Sequence, residues 1–396
     1  MSSPSTPTPR RGGSRFPHRA GRRGEALAGW FFIAPAVVIL GVFLAVPVLM
    51  ALWVSFSDWS GRGSPLAPGV NFVGFDNYAA VLTGGGLAER DFGTALRNNA
   101  WYVLLVVPLQ TALSLFLAVL VNGALLRGRG FFRTAFYFPS VTSSVAITVL
   151  WLFLFSSTGV VNKVLAGFGI GGPNWFNDPS GVLHNLFALF GITHGPAFLT
   201  GNELLGISWW EWLAGPSVAM TAFILMAVFT TSGTFMLLFL AALQNIGRET
   251  AEAAMIDGAD AWQRFWRVTL PQLKPTLFTV LTLGLIGCWQ VFDQIYTGTQ
   301  GGPGKTTLTP AYLSYQSAFT SQDWGEGAAI AFILFVIIVA FTLVQRWVLR
   351  ERPAEKRRLR DYPAAVVGAG RRGSADTSGA SRPGRAATGD GSERRT

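Results

Sequence analysis

The sequence predicts an all-α membrane protein built around six transmembrane helices. Three observations carry that reading. Of 396 residues, 50% are hydrophobic and only 13% are charged, about half the charged share of an average soluble domain. Six segments are apolar over the roughly 20 residues that a helix needs to cross a bilayer core. The Lys and Arg residues between those segments gather on alternate loops, the pattern that orients membrane helices.

The expected spans cover residues 27–56, 98–122, 134–157, 215–244, 276–296 and 327–345. They must be helical because lipid offers no partner to a free backbone N–H or C=O. Pro35, Pro47, Pro108 and Pro139 lie inside them and are expected to kink them. Arginines precede the first span, as in a signal peptide. The apolar run at 27–56 is longer than the 7–15 residues of a cleavable core, so a retained span is expected. Outside a body at 27–350 that holds the six spans, the segments 1–26 and 351–396 are rich in Gly, Ser, Pro, Ala and Arg. They bury too little apolar surface to offset ordering entropy and are expected to be disordered basic tails.

Orientation follows from the loops. Segments 1–26, 123–133, 244–275 and 346–360 hold six, three, four and seven Lys or Arg, twenty in all. Segments 57–97, 158–214 and 297–325 hold three, one and one. Cytoplasmic loops carry the cationic excess, so both termini are expected in the cytoplasm of a multi-pass inner-membrane protein. An excess of cations that clusters in tails and short loops suits an anionic membrane surface rather than nucleic acid.

The spans offer little for covalent chemistry. The single cysteine, Cys288, has no partner for a disulfide, and His18, His184 and His194 are scattered outside the spans. No spacing fits a metal or cofactor site. An integral membrane enzyme would need intramembrane His, Asp or Glu clusters. The run Gly301-Gly-Pro-Gly-Lys-Thr306 lacks a preceding strand and the spacing of a phosphate-binding loop.

The loop between the fourth and fifth spans is the most informative stretch. It predicts two short helices. The first runs from about Arg248 to Asp257 and stops at Gly258, a residue suited to a left-handed helix end. The second starts at Asp260, with Gln263 three residues on as in a capping box. Trp262, Phe265, Trp266 and Thr269 then share one face at helical spacing. Glu249 and Glu252 stand beside Ala253 and Ala254. Small residues admit another surface, and a carboxylate offers an arginine a charged partner. The plain alternative is an amphipathic hairpin resting on headgroups.

Glu252-Ala253-Ala254, Gly258, Val268, Leu270 and Pro271 resemble the EAA loop of permease subunits of binding-protein-dependent ABC importers, with Val268 in place of the usual Ile. The resemblance implies a coupling helix, carried by Glu252, Ala253, Ala254, Gly258, Leu270 and Pro271, that docks into a cytoplasmic ATPase. Ile256-Asp257-Gly258-Ala259 and Asp293-Gln-Ile-Tyr-Thr-Gly-Thr-Gln-Gly-Gly-Pro303 are similar to the sugar branch of that family, as are Phe72-Val-Gly-Phe-Asp-Asn-Tyr78 and Phe131-Phe-Arg-Thr134. Gly247, Thr250 and Phe229 depart from it. The resemblance covers about residues 27–350. It implies a transport subunit working by alternating access, with no catalytic residue and no cofactor. It also implies a second permease subunit, an ATPase dimer, an extracytoplasmic solute-binding protein and a sugar substrate. A peptide or polyol permease is the alternative.

Transport sites lie near the membrane midplane between helices. The aromatic and hydrogen-bonding residues of the spans are therefore the candidates for the substrate path: Trp289, Gln290 and Phe292 on the fifth, and Thr230 and Thr231 on the fourth. Ser232 and Thr234, Gln110 on the second span, and Thr142, Ser143 and Ser144 on the third are also polar, with interhelical packing as their ordinary role. Asp293 is expected to be solvated. Trp175, Trp209, Trp210 and Trp212 in segment 158–214 read as an interfacial aromatic belt, within a loop expected to meet the binding protein.

Overall fold

The computed structural model describes residues 21–123 and 128–348. The tails expected at 1–26 and 351–396 lie outside the described residues, except that 21–26 already belong to the first helix.

Helix α1 (Gly21–Leu40) passes through a π-helical turn (Gly41–Ala45) into α2 (Val46–Ser55). Together they form the first span, of whose most apolar window only 6% is buried. A short α3 (Asp76–Thr83) precedes α4 (Leu87–Asn122), a 36-residue helix that contains the second span. Ser57 and Phe72 pair across the intervening turn, and Asn77 Nδ2 donates to the carbonyls of Ser55 and Ser57, both at 3.0 Å.

The third span is not the single helix expected at 134–157. It is two helices, α5 (Arg129–Val141) and α6 (Ser144–Leu154), bent by 100°. At the bend Thr142 and Ser143 are extended. The Thr142 hydroxyl donates to the Phe138 carbonyl at 3.0 Å, and such side-chain bonds compete with helix continuation. Helix α5 lies against the fourth span, where Gly233 faces the Phe136 carbonyl and a side chain would collide with it. Among the described residues five helices are long and apolar enough to cross a membrane, and the bent pair brings the number to six if it counts as one span.

Segment 158–217 folds into α7 (Val160–Gly167), a 3₁₀ turn (Trp175–Asn177), α8 (Val182–Leu189), α9 (Ala197–Thr200), the hairpin β1 (Glu203–Leu204) and β2 (Ile207–Ser208), and α10 (Trp209–Trp212). Three of its tryptophans also staple the segment together. Trp175 donates to Asn162 at 2.8 Å, Trp212 donates to the Leu204 carbonyl at 3.3 Å, and Trp210 stacks on His184 at 4.4 Å.

Helix α11 (Val218–Asn245) is capped by Ser217, whose hydroxyl accepts the Met220 N–H at 2.9 Å. It is the centre of the bundle. Tyr102, Val106 and Val107 of α4 share one core with Met220, Phe223 and Ala227 of α11. Leu117, Ala118 and Val121 share a second core with Met236, Phe239 and Leu240. The two helices therefore run in the same direction. After α11 come α12 (Arg248–Ile256), α13 (Ala261–Arg264), a π turn (Phe265–Thr269) and α14 (Leu270–Gln272). Helix α15 (Lys274–Trp289) returns antiparallel, with Leu273 and Val280 in the second core and Cys288 in the first.

The fifth span, expected as one helix over 276–296, breaks at Gln290–Phe292 and resumes as α16 (Asp293–Gly298). A loop leads to α17 (Pro310–Tyr315) and a π turn (Gln316–Thr320), and α18 (Trp324–Val348) closes the bundle. Gln345 of α18 donates to Thr282 of α15 at 3.0 Å.

Candidate functional site

The loop after α11 presents the first candidate surface. Helix α12 ends as its sequence predicts. Gly258 has φ +79°, its N–H donates to Met255 O, and the Ala259 N–H donates to Ala254 O, both at 3.0 Å. This pair of bonds is a Schellman end, which wants a residue free to be left-handed. The Asp260 carboxylate then accepts the Gln263 N–H at 2.7 Å while Gln263 accepts the Asp260 N–H at 3.3 Å. The expected face of Trp262, Phe265, Trp266 and Thr269 is altered by the π turn, which adds a residue to that revolution. Trp262 and Trp266 still meet edge to face at 5.4 Å.

Glu252, Ala253, Met255 and Gly258 are exposed, Ile256 is 86% exposed, and Ala254 is half-buried. An apolar tip beside a carboxylate is thus open to another surface. The base of the loop is held instead. Leu270 opens α14 and is half-buried, Pro271 follows it exposed, and Leu273 is fully buried in the core below.

The second candidate is a cavity of about 270 Å³ at the break in the fifth span. Tyr102 and Gln110 of α4, Thr231 and Phe235 of α11, and Gly284, Gln290, Phe292, Asp293 and Gln294 of the broken span line it. A neighbouring cavity of about 270 Å³ shares Thr231, Phe235 and Gln294 and adds Thr230, Thr234, Ser140, Thr142 and Ser144. Gln290, Phe292, Thr230 and Thr231 therefore come together as expected, although Thr230 opens only onto the second chamber.

Trp289 does not join them. It is 2% exposed, packs with Leu334 and Ile338, and lies against Phe341 of α18 at 5.2 Å. Adjacent residues of a helix point about 100° apart, and at the end of α15 that rotation sends Gln290 into the cavity and Trp289 into the α15–α18 seam. Asp293 is exposed but lines the cavity wall.

The break is stabilised by side chains that sequence reasoning missed. Asn99 Nδ2 donates to the Trp289 carbonyl at 3.1 Å, and the Thr309 hydroxyl donates to the Val291 carbonyl at 3.0 Å. Both residues are fully buried. A broken membrane helix frees carbonyls that need partners, so a buried Asn early in the second span was the available signal. Gln110 is also fully buried. Its Oε1 lies 2.6 Å from Thr231 Oγ1, and its Nε2 has no hydrogen-bond partner. The Thr231 hydroxyl also reaches the Ala227 carbonyl at 2.7 Å, but its one proton serves one acceptor at a time. The cavity thus offers a carboxamide, a hydroxyl and aromatic faces in a mostly neutral setting. Such groups suit a neutral polyhydroxylated solute. No cluster of His, Cys, Asp and Glu able to hold a metal occurs among the described residues.

A family model described as the binding-protein-dependent transport system inner membrane component matches residues 102–352. The chain belongs to that family. It is 32% identical over 328 residues to the lactose transport system permease protein LacF of Rhizobium radiobacter, covering 82% of this chain and 94% of that one. It is 31% identical over 321 residues to the trehalose/maltose transport system permease protein MalF of Thermococcus litoralis, covering 81% and 92%. In fold it is similar to a chain of a bacterial ABC transporter involved in import of the acidic polysaccharide alginate, with a TM-score of 0.63 at 20% identity over 83% of this chain and 98% of that one. This permease is therefore a multi-pass inner-membrane transport subunit and not an enzyme. It works with a solute-binding protein.

Proposed function

We propose that this permease forms half of a carbohydrate path and passes solute by alternating access. The observation that carries the reading is the break at Gln290–Phe292. It opens a polar cavity between α4, α11 and the fifth span, where membrane transporters tend to bind solute at discontinuous helices. The lining favours a sugar over a charged peptide, since Gln110, Thr231 and Gln290 donate and accept hydrogen bonds without charge while Phe292 and Tyr102 offer ring faces. The permeases for lactose and for trehalose/maltose support the same class. A second permease chain, most simply a different one, supplies the other wall.

The exposed Glu252–Ala254 surface and the Gly258 turn make α12 the coupling helix, seated in a groove of the ATPase. Both termini and this loop then face the cytoplasm, in keeping with twenty cationic residues on that side against five on the other. The test is direct sugar binding to the solubilised transporter, held open to the outside, with lactose, maltose and trehalose as probes and the binding protein left out. One of these should bind to the parent and bind more weakly to Gln290→Ala. Binding of all three to neither protein, with uptake of a peptide or polyol, would reassign the substrate. Impermeant thiol labelling in a Cys288→Ser background checks orientation. The cysteine of Gly258→Cys should resist the reagent in intact cells, and that of Gly302→Cys should react.

A further inference from the structure

A cluster of charged side chains lies at the other end of α11 from the coupling loop. Three of the five Lys and Arg residues in segments 57–97, 158–214 and 297–325 are Arg90, Arg97 and Lys305. All three line one cavity of about 400 Å³, together with Asp91, Thr94 and Glu211. Its walls come from α4, from β2 and α10, and from the loop that follows the broken fifth span.

The two carboxylates in this cavity are already engaged. Asp91 is bound by Lys305 Nζ at 2.7 Å. Glu211 closes the capping box of α10, accepting the Ser208 N–H at 3.0 Å, and lies 4.0 Å from Arg90. Among the described residues no carboxylate lies within 4.0 Å of Arg97. Its Nε and Nη2 donate to Asn98 Oδ1 at 3.3 and 2.8 Å, and its Nη1 reaches the Glu211 backbone carbonyl at 3.4 Å. A guanidinium has five N–H donors, so one N–H on each terminal nitrogen is left without a partner. That pair is what a carboxylate engages end-on. The fork is also held in place, because Asn98 is buried and its Nδ2 donates to the carbonyls of Lys305 at 2.9 Å and Leu308 at 3.0 Å.

We propose that Arg97 is the seat for an aspartate or glutamate side chain of the solute-binding protein, inserted into this cavity when that protein docks. The proposal rests on the orientation given above, which turns this end outward. The cationic excess is the charge complement of an acidic side chain, and oriented charge of this kind governs encounter and register more than bulk affinity. The seat is joined to the cavity deeper in the bundle. Asn98 holds both Arg97 and the 305–308 loop, and that loop runs straight into Thr309, whose hydroxyl holds the Val291 carbonyl at the break. A carboxylate arriving at Arg97 thus acts on a loop that ends at the break.

The experiment titrates the labelled solute-binding protein that supports uptake against the full transporter with its ATPase in nanodiscs. Arg97→Gln should weaken docking about tenfold or more, and Arg97→Lys should weaken it less, since the cation remains but the fork is lost. Arg62→Gln, a cation outside the cavity, should dock like the parent. Thr94→Glu supplies a second route that leaves Arg97 intact. It places a carboxylate three residues before Arg97 on the same helix face, fills the seat from within and should also weaken docking. Parent-like docking by Arg97→Gln, or by Thr94→Glu should the first variant not assemble with its ATPase, would overturn the proposal. So would unchanged docking accompanied by loss of glucuronate binding in Arg97→Gln, since the carboxylate would then belong to the solute. Sugar binding without the binding protein reads the deeper cavity separately, so failure of one assignment does not decide the other.

Discussion

The loop from Arg248 to Pro271 and the cavity at Gln290–Phe292 are built in opposite ways. The loop is local. Its Schellman end, capping box and proline all lie within 24 consecutive residues, and its exposed tip needs no other part of the chain. The cavity is non-local. Tyr102, Gln110, Thr231 and Gln290 come from three helices, and the break that shapes it is held by Asn99, also on α4, and by Thr309 from a further loop. A surface meant to meet another protein can be written as a motif, whereas a chamber inside a bundle has to be assembled by packing.

The comparison breaks first at Gly258. Left-handed backbone costs an ordinary residue about 1–2 kcal/mol, and a β-branched side chain suits it least. Apart from its two chain neighbours, no described residue comes within 4 Å of the place where a Cβ would sit, so conformation is what is at issue. Gly258→Val should abolish uptake while the chain still inserts, and Gly258→Asn, which tolerates the left-handed region, should retain most of it. Equal uptake by the two variants would show that the helix end does not matter. Glu252→Lys should lose ATPase co-purification as well, because it reverses the exposed carboxylate that stands beside Ala253 on the tip proposed to meet the ATPase groove.

A smaller effect is expected at the break. Thr309→Val leaves the Val291 carbonyl without its partner, and an unmade buried hydrogen bond costs about 1–3 kcal/mol. The solubilised permease should unfold at a lower temperature, and Thr309→Ser, which restores the hydroxyl, should recover it. A loss that Thr309→Ser shared with Thr309→Val would mean that the methyl group, not the bond, was responsible.

The smallest effect separates two neighbours. Gln290→Ala should weaken sugar binding several-fold, in line with a neutral hydrogen bond worth about 1 kcal/mol and about 1.4 kcal/mol per tenfold. Trp289→Phe should leave sugar affinity unchanged, because its ring lies in the α15–α18 seam. A reversed order would put Trp289 back in the path and require the fifth span to rotate.

These contrasts also show what the sequence made legible. The six apolar segments, the Gly258 turn and the Asp260–Gln263 box were readable because each depends on residues close together in the chain. The 100° bend between α5 and α6 was not, since Pro139 marks a possible kink and says nothing of its size. Nor was the break after Trp289. Nothing between Gly287 and Asp293 is a helix breaker, and the partners that make the break tolerable, Asn99 and Thr309, are 190 and 18 residues from the carbonyls they hold. The same distance explains why Trp289 and Gln290 were indistinguishable in the sequence.

The first span carries a different consequence. With 6% of its apolar window buried, it is tethered to its own chain mainly at its far end, through the turn where Ser57 meets Phe72 and Asn77. A helix whose neighbours lie only along its C-terminal part takes much of its tilt from the thickness of the surrounding hydrocarbon and from its interfacial anchors. Trp30 and Trp53 stand near opposite ends of this rod. In a thinner bilayer the rod should lean further while the α4–α11 core stands still, which makes lipid chain length a lever on this one element of the permease.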